Sequence, residues 1–280
     1  NKIINEGINV IIFLHSTIDP LGQESKKLEI LTDTLKKCRR IYVHTIKDLN
    51  RLKNISLVDN VSLFPHPIKN SRCSIPKRKK FPFISINKKL IIGSYGFCLP
   101  NKGFSQLISA IPILKKSNIN FHLNIFSSIY SKNYAYCFDE LISLVKELSL
   151  EDDITLINDY LDVDEITTVL SKQDLLVYPY QHSSESSSAS IRDGLSVLKP
   201  TIVTPLPLFD DVKDLVDYFE GTTPKDLAKG IINWYEEYKR SPNEINKIIE
   251  KRALLIKARS FSRLGSRLHS IINSLEINED

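Results

Sequence analysis

The sequence contains no methionine, one tryptophan and only four cysteines among its 280 residues. Because position 1 is an asparagine, we expect either that the N-terminus is processed or that the chain is a piece of a longer polypeptide. No window approaches the roughly 20 uncharged apolar residues that a membrane-spanning helix needs. The first 14 residues lack a clearly basic start and a small-residue cleavage site, so no signal peptide is predicted.

Paired cysteines are also missing. Cys38, Cys73, Cys98 and Cys137 lie 25 to 39 residues apart with no CxxC pair, which favours reduced thiols in a cytoplasmic protein over disulfides or zinc ligands. Hydrophobic residues make up 42% and charged residues 25%, so collagen-like, coiled-coil and wholly disordered chains are excluded. A net charge of +5 is too small for a dedicated nucleic-acid binder, and no nucleic-acid partner is predicted.

The pattern of strands and helices divides the chain into four regions. Residues 1–70 show three strand-length runs alternating with helical patterns, which indicates part of an α/β domain whose opening strands are missing. Residues 71–88 read as a linker. From 89 to 260, five β-α units predict a Rossmann-like, doubly wound parallel sheet, and 261–280 reads as a C-terminal helix.

The linker contains the basic run Pro76-Lys77-Arg78-Lys79-Lys80. One short run favours a solvated connector, while contact with an anionic lipid surface stays open as the alternative.

Chemistry in such a sheet is expected in the loops that follow its strands. The first such loop reads Gly93-Ser-Tyr-Gly96-Phe-Cys-Leu-Pro-Asn-Lys102-Gly103. The glycines permit a tight turn, and a lysine at a helix start suits a phosphate group. The loop matches neither GxGxxG nor GxxxxGK[ST], so hydride transfer and P-loop hydrolysis lose their main support.

A second loop carries serines and acids around a predicted helix start. The small residues from Ser186 to Ser190 would let backbone amides approach an anion, and Glu185 and Asp193 could bracket a ligand lying across the helix N-terminus. The alternative is a serine-rich helix cap with two solvated acids.

Three other patterns are interpreted structurally. Asp162-Val-Asp164 matches a DxD metal motif, yet it precedes a helix and is predicted to cap it. His44 and His66 have no partner at ligand spacing, so no metal site is predicted. The serine run lacks the GxSxG elbow of a nucleophilic serine.

Read together, these segments resemble a known family. The glycine loop, then Asp174-Leu-Leu-Val-Tyr-Pro, then Glu185-x7-Asp193 with Pro200-Thr-Ile-Val, is similar to the donor half of GT-B glycosyltransferases, most closely family 4, the retaining "group 1" type. Upstream, Phe13-Leu-His15 and Val61-Ser-Leu-Phe-Pro-His66-Pro resemble the end of that family's acceptor domain.

The resemblance implies a role for each matching residue. Lys102 and the amides of Ser186 to Ser188 would bind the donor diphosphate, and Glu185 would hold the donor sugar near its anomeric carbon. Asp193 would accept from the ribose hydroxyls, and His15 would face the sugar from the acceptor side. Catalysis would rest on Glu185, Lys102 and His15. The implied donor-binding residues are Gly96, Lys102, Tyr160, Glu185, Ser186, Ser187, Ser188, Arg192 and Asp193.

The sequence departs from the family at two positions. Phe97 stands where the family usually has an arginine, for which Arg192 or His182 could substitute, and Asp193 replaces the second glutamate. A lost cation weakens stabilisation of the departing diphosphate.

The implied function is metal-independent, retaining transfer of a hexose or deoxyhexose in surface polysaccharide synthesis. A UDP-, GDP- or dTDP-sugar would serve as substrate, and no cofactor is expected. The acceptor would be a glycan or a lipid-linked glycan, reached by a cytoplasmic protein with peripheral contact at the inner membrane face. A non-catalytic nucleotide-sugar-binding or regulatory module is the alternative.

Overall fold

A computed structural model describes residues 2–19, 27–69 and 89–276. The chain forms two compact units. The small unit comprises the chain up to His66 together with Ser183–Ser188 and Pro207–Asp211, and the large unit comprises the rest. The linker at 71–88, its basic run and Cys73 lie outside the described residues.

The small unit is built on a parallel sheet of three strands in the order β1 (Ile11–Leu14), β2 (Arg40–Val43) and β3 (Val61–Leu63). Leu14 pairs with Val43, and Val43 pairs with Leu63, so the three strands end level with one another. Residues that follow these strands are therefore brought to one edge of the sheet.

The helices of the small unit are short. They are α1 (Lys2–Asn5), α2 (Thr32–Lys36) and α3 (Ile46–Asn54), with a 3₁₀ turn at Leu28–Leu31 before α2. The hydroxyl of Thr45 caps α3 by accepting from the backbone N–H of Asp48.

The described residues of the large unit form six parallel strands. They are β4 (Leu90–Tyr95), β5 (Phe121–Phe126), β6 (Ile154–Ile157), β7 (Leu175–Tyr178), β8 (Thr201–Val203) and β9 (Asp217–Tyr218). Their order is β6-β5-β4-β7-β8-β9, so the order reverses between β4 and β7. Reversal of this kind defines a doubly wound sheet and places its ligand crevice at the carboxyl ends of the strands beside that point.

Within the described part of the large unit, seven helices pack around this sheet or follow it. They are α4 (Phe104–Leu114), α5 (Ala135–Glu147), α6 (Val163–Ser171), α7 (Ala189–Ser196), α8 (Pro224–Arg240), α9 (Pro242–Ala258) and α10 (Phe261–Glu276). The 3₁₀ segments Pro100–Lys102 and Lys132–Tyr134 lie in the same unit, and a further one, Pro207–Leu215, begins in the small unit. The apolar faces of α4, α5 and α8 bury against β4 and β5 in one continuous core. Among the described helices, none combines the length and apolarity needed to cross a membrane.

The predicted α/β class with parallel sheets is confirmed. Two segments with a helical sequence pattern differ from that pattern in the structure. Residues 209–217 have the pattern of one short helix, but Asp217 belongs to β9, where it is held by Arg252 through hydrogen bonds of 2.7 and 3.0 Å. Residues 24–38 have the pattern of one amphipathic helix, but their described part contains only a 3₁₀ turn and the five residues of α2.

Candidate functional site

The large unit carries a cleft at the carboxyl ends of β4, β5 and β6, beside the first turn of α7. Its volume is about 350 Å³ when the part that is open to solvent is included. Aromatic rings and polar side chains share its lining, which consists of Tyr95, Phe97, Phe126, Ser128, Asp159, Tyr160, Leu161 and Ser190. Aromatic rings beside hydroxyl and carboxylate groups suit a planar ligand that also forms hydrogen bonds.

Tyr95 is the last residue of β4 and supplies a hydroxyl to this cleft. Burial raises the pKa of Tyr95 to about 12, and the nearby Asp193 carboxylate and Tyr160 and Tyr180 hydroxyls act in the same direction. The hydroxyl therefore stays protonated at neutral pH and can donate a hydrogen bond.

Tyr160, one of the donor-binding residues that the family resemblance implies, lies in the loop 158–161 that follows β6. Its side chain is 77% exposed at the mouth of the cleft. An exposed ring in this position can stack on a base at little cost, because it has no other packing to lose.

The loop after β4 brings backbone close to two neighbouring segments. A Cβ on Gly96 would lie 3.4 Å from the Ser190 hydroxyl of α7. Gly103 has φ +75°, and a Cβ there would collide with the carbonyl oxygen of Pro179. Glycine is required at Gly103 both by its backbone conformation and by this contact.

Lys102, predicted to bind phosphate, is buried next to α4. Its ammonium donates to the Tyr180 hydroxyl at 3.0 Å and lies 4.1 Å from the centroid of the same ring. A cation held by one hydroxyl and one aromatic face retains strong attraction for an anion, since neither partner neutralises its charge.

Two further predicted residues lie on α7 in the large unit. Arg192 is 4% exposed, and Asp193 is half-buried. The Asp193 carboxylate accepts a hydrogen bond from the Lys69 ammonium at 2.7 Å. The prediction that Asp193 meets a ribose stays a prediction, and Lys69 is a partner that the sequence did not indicate.

In the small unit, the serine-rich loop is fixed through a buried carboxylate. The Ser186 hydroxyl donates to Asp48 of α3 at 2.7 Å, and the hydroxyls of Thr17 and Thr45 donate to the same carboxylate. Arg51 lies 3.8 Å away and also donates to Thr17. Four polar partners stabilise a carboxylate that is 2% exposed, so this end of the loop is firmly positioned.

The segment following β1 holds the same loop. Ser16, which follows His15, donates through its hydroxyl to the carbonyl of Ser184 at 3.0 Å. Glu185 comes directly after Ser184 and is exposed. The small unit therefore joins the chain next to His15 to the chain next to Glu185.

The other predicted serines lie between this anchored end and α7. Ser187 is half-buried and Ser188 is buried. The helix was predicted to begin at Ser188 and begins at Ala189, so all three serines assigned to the diphosphate precede its first turn.

The expectation that His44 and His66 have no partner at ligand distance is wrong. One nitrogen from each of His15, His44 and His66 lies within 4.8 Å of the others. Each histidine follows one of three strands that end level, a relation between distant segments that spacing along the chain does not reveal.

The DxD pattern is a helix cap, as predicted. The Asp162 carboxylate accepts from the N–H groups of Asp164 and Glu165, and the Glu165 side chain accepts from the N–H of Asp162. This reciprocal capping box begins α6.

Phe97 occupies the position of the family's arginine and contributes a ring to the cleft. Of the two proposed replacements, Arg192 is buried in α7 and His182 is exposed. The ring of Phe97 packs edge-on against Tyr130 at 5.2 Å.

Sequence reasoning missed several residues that hold these groups in place. Tyr95 and Tyr180 lie at or just after strand ends, which was a usable signal. Asp48 resembles an ordinary helix-capping acid, and Lys69 lies next to a linker, so neither carried a local signal.

Comparison with solved structures shows which class of fold this is. A glycosyltransferase from Rickettsia africae superposes with a TM-score of 0.73 at 14% identity, covering 96% of this chain and 71% of that one. Anabaena HepE, solved with UDP and glucose, superposes with a TM-score of 0.75 at 11% identity, covering 97% of this chain and 73% of HepE. A variant of Staphylococcus aureus TarM, solved with UDP, fondaparinux and alpha-GlcNAc-glycerol, superposes with a TM-score of 0.68 at 15% identity, covering 95% of this chain and 50% of TarM. The chain has the GT-B fold.

The family follows from sequence. The model of "Glycosyl transferases group 1" matches residues 76–252, more than half of the chain and including Lys102, Glu185 and Asp193. This protein belongs to the group 1 glycosyltransferases. A search of curated protein sequences finds no match to it.

Proposed function

We propose that this glycosyltransferase transfers a hexose from a UDP-sugar, with retention of configuration, to a glycan or a lipid-linked glycan of a surface polysaccharide. The observation that carries the proposal is the aromatic cleft at the carboxyl ends of β4 to β6, which lies within the segment matched by the group 1 model. UDP is favoured among nucleotides because HepE and TarM were both solved with it.

The large unit would bind the nucleotide. The uracil ring would stack in the cleft on Tyr160, with the Tyr95 hydroxyl donating to it or to the ribose, and Asp193 would accept from a ribose hydroxyl. Lys102 would bind the diphosphate, because the partners of its buried ammonium in the described part of the chain are a neutral hydroxyl and a ring, and neither carries a negative charge. Stabilising the departing diphosphate is where a fixed cation accelerates the reaction.

Two of the predicted residues would contact the sugar. Glu185 would contact the sugar near its anomeric carbon, and His15 would face the sugar from the acceptor side. Their loops are joined by the Ser16–Ser184 hydrogen bond and held by the buried Asp48 network, so both side chains extend from fixed backbone. Preorganisation of this kind limits the reorganisation that the reaction requires.

Transfer would proceed without a divalent metal on the diphosphate. Support comes from the DxD pattern, whose first carboxylate is occupied in capping α6. Adding Mg²⁺ or Mn²⁺ is then expected to leave the turnover of donor unchanged.

We also propose that the protein works in the cytoplasm at the inner membrane face. The support is the net charge of +5 and the basic run at 76–80, which suit an anionic lipid surface and its lipid-linked glycans. Co-sedimentation with vesicles of anionic lipid, lost at high salt, is the expected result.

The central experiment measures hydrolysis of UDP-glucose and, separately, calorimetric binding of UDP. Glu185→Gln is expected to lower turnover by roughly 100-fold or more, the usual effect of removing one stabilising group from a reacting centre. Its UDP affinity should stay unchanged, because Glu185 would touch the sugar only. Glu151→Gln, a change at another exposed glutamate, is the matched control.

Two results would contradict the proposal. Equal turnover in wild type and Glu185→Gln removes Glu185 from the reaction. UDP binding without any turnover of UDP-, GDP- or dTDP-glucose favours the non-catalytic module, which the replacement of an arginine by Phe97 would also explain.

A further inference from the structure

The small unit contains a cluster of imidazoles of which the proposed transfer uses only one member. We define the histidine cluster as His15, His44 and His66. The three follow β1, β2 and β3, whose level ends bring them to one edge of the sheet. Their ring centroids lie 4.7 to 5.4 Å apart, and one nitrogen from each lies within 4.8 Å of the others.

The tautomer of the central histidine is fixed by backbone. His44 Nδ1 lies 2.9 Å from the carbonyl oxygen of Phe64, which can only accept, so this nitrogen carries a proton. In neutral His44, the lone pair is therefore on Nε2, the atom that faces His15. A ring N–H bound to a backbone carbonyl is the arrangement that orients histidines ligating metal ions in proteins.

The spacing of the His15 and His44 nitrogens suits a small tetrahedral ion, and the His66 ring would have to move toward them, since its nitrogen is placed only within 4.8 Å of theirs. His44 Nε2 and His15 Nδ1 are 3.1 Å apart. Two ligands on a tetrahedral zinc, each at ~2.0–2.1 Å, are separated by roughly 3.3–3.4 Å. Shifts of a few tenths of an ångström would therefore convert the imidazole–imidazole hydrogen bond into two bonds to one ion.

Proton balance allows this conversion. Without metal, His15 Nδ1 donates its hydrogen to His44 Nε2. With metal, both of these nitrogens need lone pairs, so the His15 proton moves to Nε2 of the same ring. His15 is exposed, which lets solvent carry that proton across, and a neutral cluster releases none.

The burial of the three histidines and the type of ligand further restrict which metal ions the cluster can bind. His44 is buried, His66 half-buried and His15 exposed, so the cluster is open on one side and leaves a fourth position for water. Imidazoles without carboxylates favour zinc and similar transition metals over magnesium or calcium.

We infer that the histidine cluster binds one divalent transition-metal ion of the zinc class, through His15 Nδ1, His44 Nε2 and a ring nitrogen of His66, with water as the fourth ligand. This site goes beyond the proposed function, which assigns no ion to the small unit.

The test titrates the metal-free chain with Co²⁺, whose visible d–d bands report coordination geometry, and then displaces it with Zn²⁺ to obtain affinity. Wild type is expected to bind one equivalent with the strong bands of a tetrahedral site. His66→Gln and His15→Asn should each weaken Zn²⁺ binding by roughly 100-fold or more, since changing groups that merely support ligands already costs about 10–100-fold. These two positions are chosen because neither is fully buried. His269→Gln, an exposed histidine of α10, is the matched control and should bind as wild type does.

Three outcomes would overturn the inference. One is that wild type binds neither Co²⁺ nor Zn²⁺ at micromolar concentration, which would mean that the three histidines form a hydrogen-bonded group without a metal. Another is unchanged affinity in both variants. The third is the weak spectrum of six-coordinate cobalt, or the intense charge-transfer band of a thiolate ligand. Because metal binding is measured without donor or acceptor, this result is independent of the outcome for glycosyl transfer.

Discussion

At the scale of single residues, the backbone conformation of Gly103 fixes where Lys102 lies. Gly103→Ala is expected to lower the free energy of unfolding by at least about 2 kcal/mol. Left-handed backbone alone costs ~1–2 kcal/mol in an L-residue, and the new methyl group would also collide with the Pro179 carbonyl. Urea unfolding measures the change.

Gly265→Ala is the matched control for that prediction. It lies within α10 with no atom within 4 Å of the added Cβ, so the same substitution should be neutral or stabilise by up to ~1 kcal/mol. Equal effects at the two positions would show that neither the conformation nor the contact at Gly103 matters.

Tyr178 is expected to make the stability of the large unit depend on pH in the alkaline range. Its hydroxyl is buried and donates to the Ser190 carbonyl at 3.1 Å. Burial, reinforced by Tyr180, Asp193 and Tyr95, raises the pKa of Tyr178 well above its usual value of 10. An acid with a raised folded pKa contributes its full stability below the unfolded pKa and loses it as pH rises beyond that value.

We therefore expect stability to fall above about pH 10 in wild type and to fall less in Tyr178→Phe. At pH 7 the variant should be about 1 kcal/mol less stable because it lacks one hydrogen bond. Urea unfolding at pH 8 and pH 11 measures both effects. Tyr130→Phe, at an exposed ring, should follow the wild-type curve, and a Tyr178→Phe curve parallel to wild type would refute the assignment.

At the scale of elements, the caps at helix starts were predictable because they depend on residues within four positions of one another. Asp162→Ala is expected to lower stability by about 1 kcal/mol, whereas Asp162→Asn should lose little because asparagine caps equally well. Thr223→Ala, at the equivalent capping box of α8, should cost a similar amount.

The same pair of variants distinguishes a cap from a metal ligand. Asp162→Asn retains the cap and removes the charge, so donor turnover should match wild type with or without Mn²⁺. A loss of Mn²⁺-dependent turnover in Asp162→Asn would restore the DxD interpretation.

Elements set by distant segments were less predictable. The strands from β4 to β8 are short, largely apolar runs, and this local pattern predicts strands. The break between α9 and α10 is different. Ile68 pairs with Ser260, where its N–H donates to the Arg259 carbonyl and its carbonyl accepts from the Phe261 N–H, and nothing near 260 in sequence indicates that partner. Likewise, the two residues of β9 pair with β8, and Asp217 also binds Arg252 of α9, so this strand depends on distant segments.

The residues of the candidate site also differ in how far the sequence could predict them. Lys102, Glu185 and Asp193 were predicted because each stands in a recognisable segment that follows a strand. Their supports were not, since Tyr180, Asp48 and Lys69 act through contacts 78, 138 and 124 positions along the chain. The histidine cluster belongs with these supports, because only the registers of β1, β2 and β3 bring its members together.

At the scale of the whole molecule, each unit has an apolar core of its own. One surrounds β2 and includes Ile41, Val43 and Leu52, and the other surrounds β4 and β5. The apolar core of the small unit is drawn from fewer than 70 residues, so the stability of that unit by itself is expected to be marginal. The large unit buries a larger fraction of its surface on folding and is expected to be more stable. We therefore expect calorimetry to resolve two thermal transitions, with the small unit unfolding at the lower temperature.

Binding of a nucleotide should raise the midpoint temperature of one of these transitions more than that of the other. The cleft, Lys102 and Asp193 all belong to the large unit, so UDP at ~100 times its dissociation constant adds ~2.7 kcal/mol to that unit. At ~2–4 °C per kcal/mol for a domain of this size, the upper transition should rise by roughly 5–10 °C. Inorganic pyrophosphate, which lacks the base and ribose, should shift the upper transition much less if the aromatic cleft supplies the binding.

Two results would contradict these expectations. A single transition that UDP shifts as a whole would mean that the two cores unfold cooperatively. Equal shifts with UDP and pyrophosphate would mean that the cleft does not take part in nucleotide recognition.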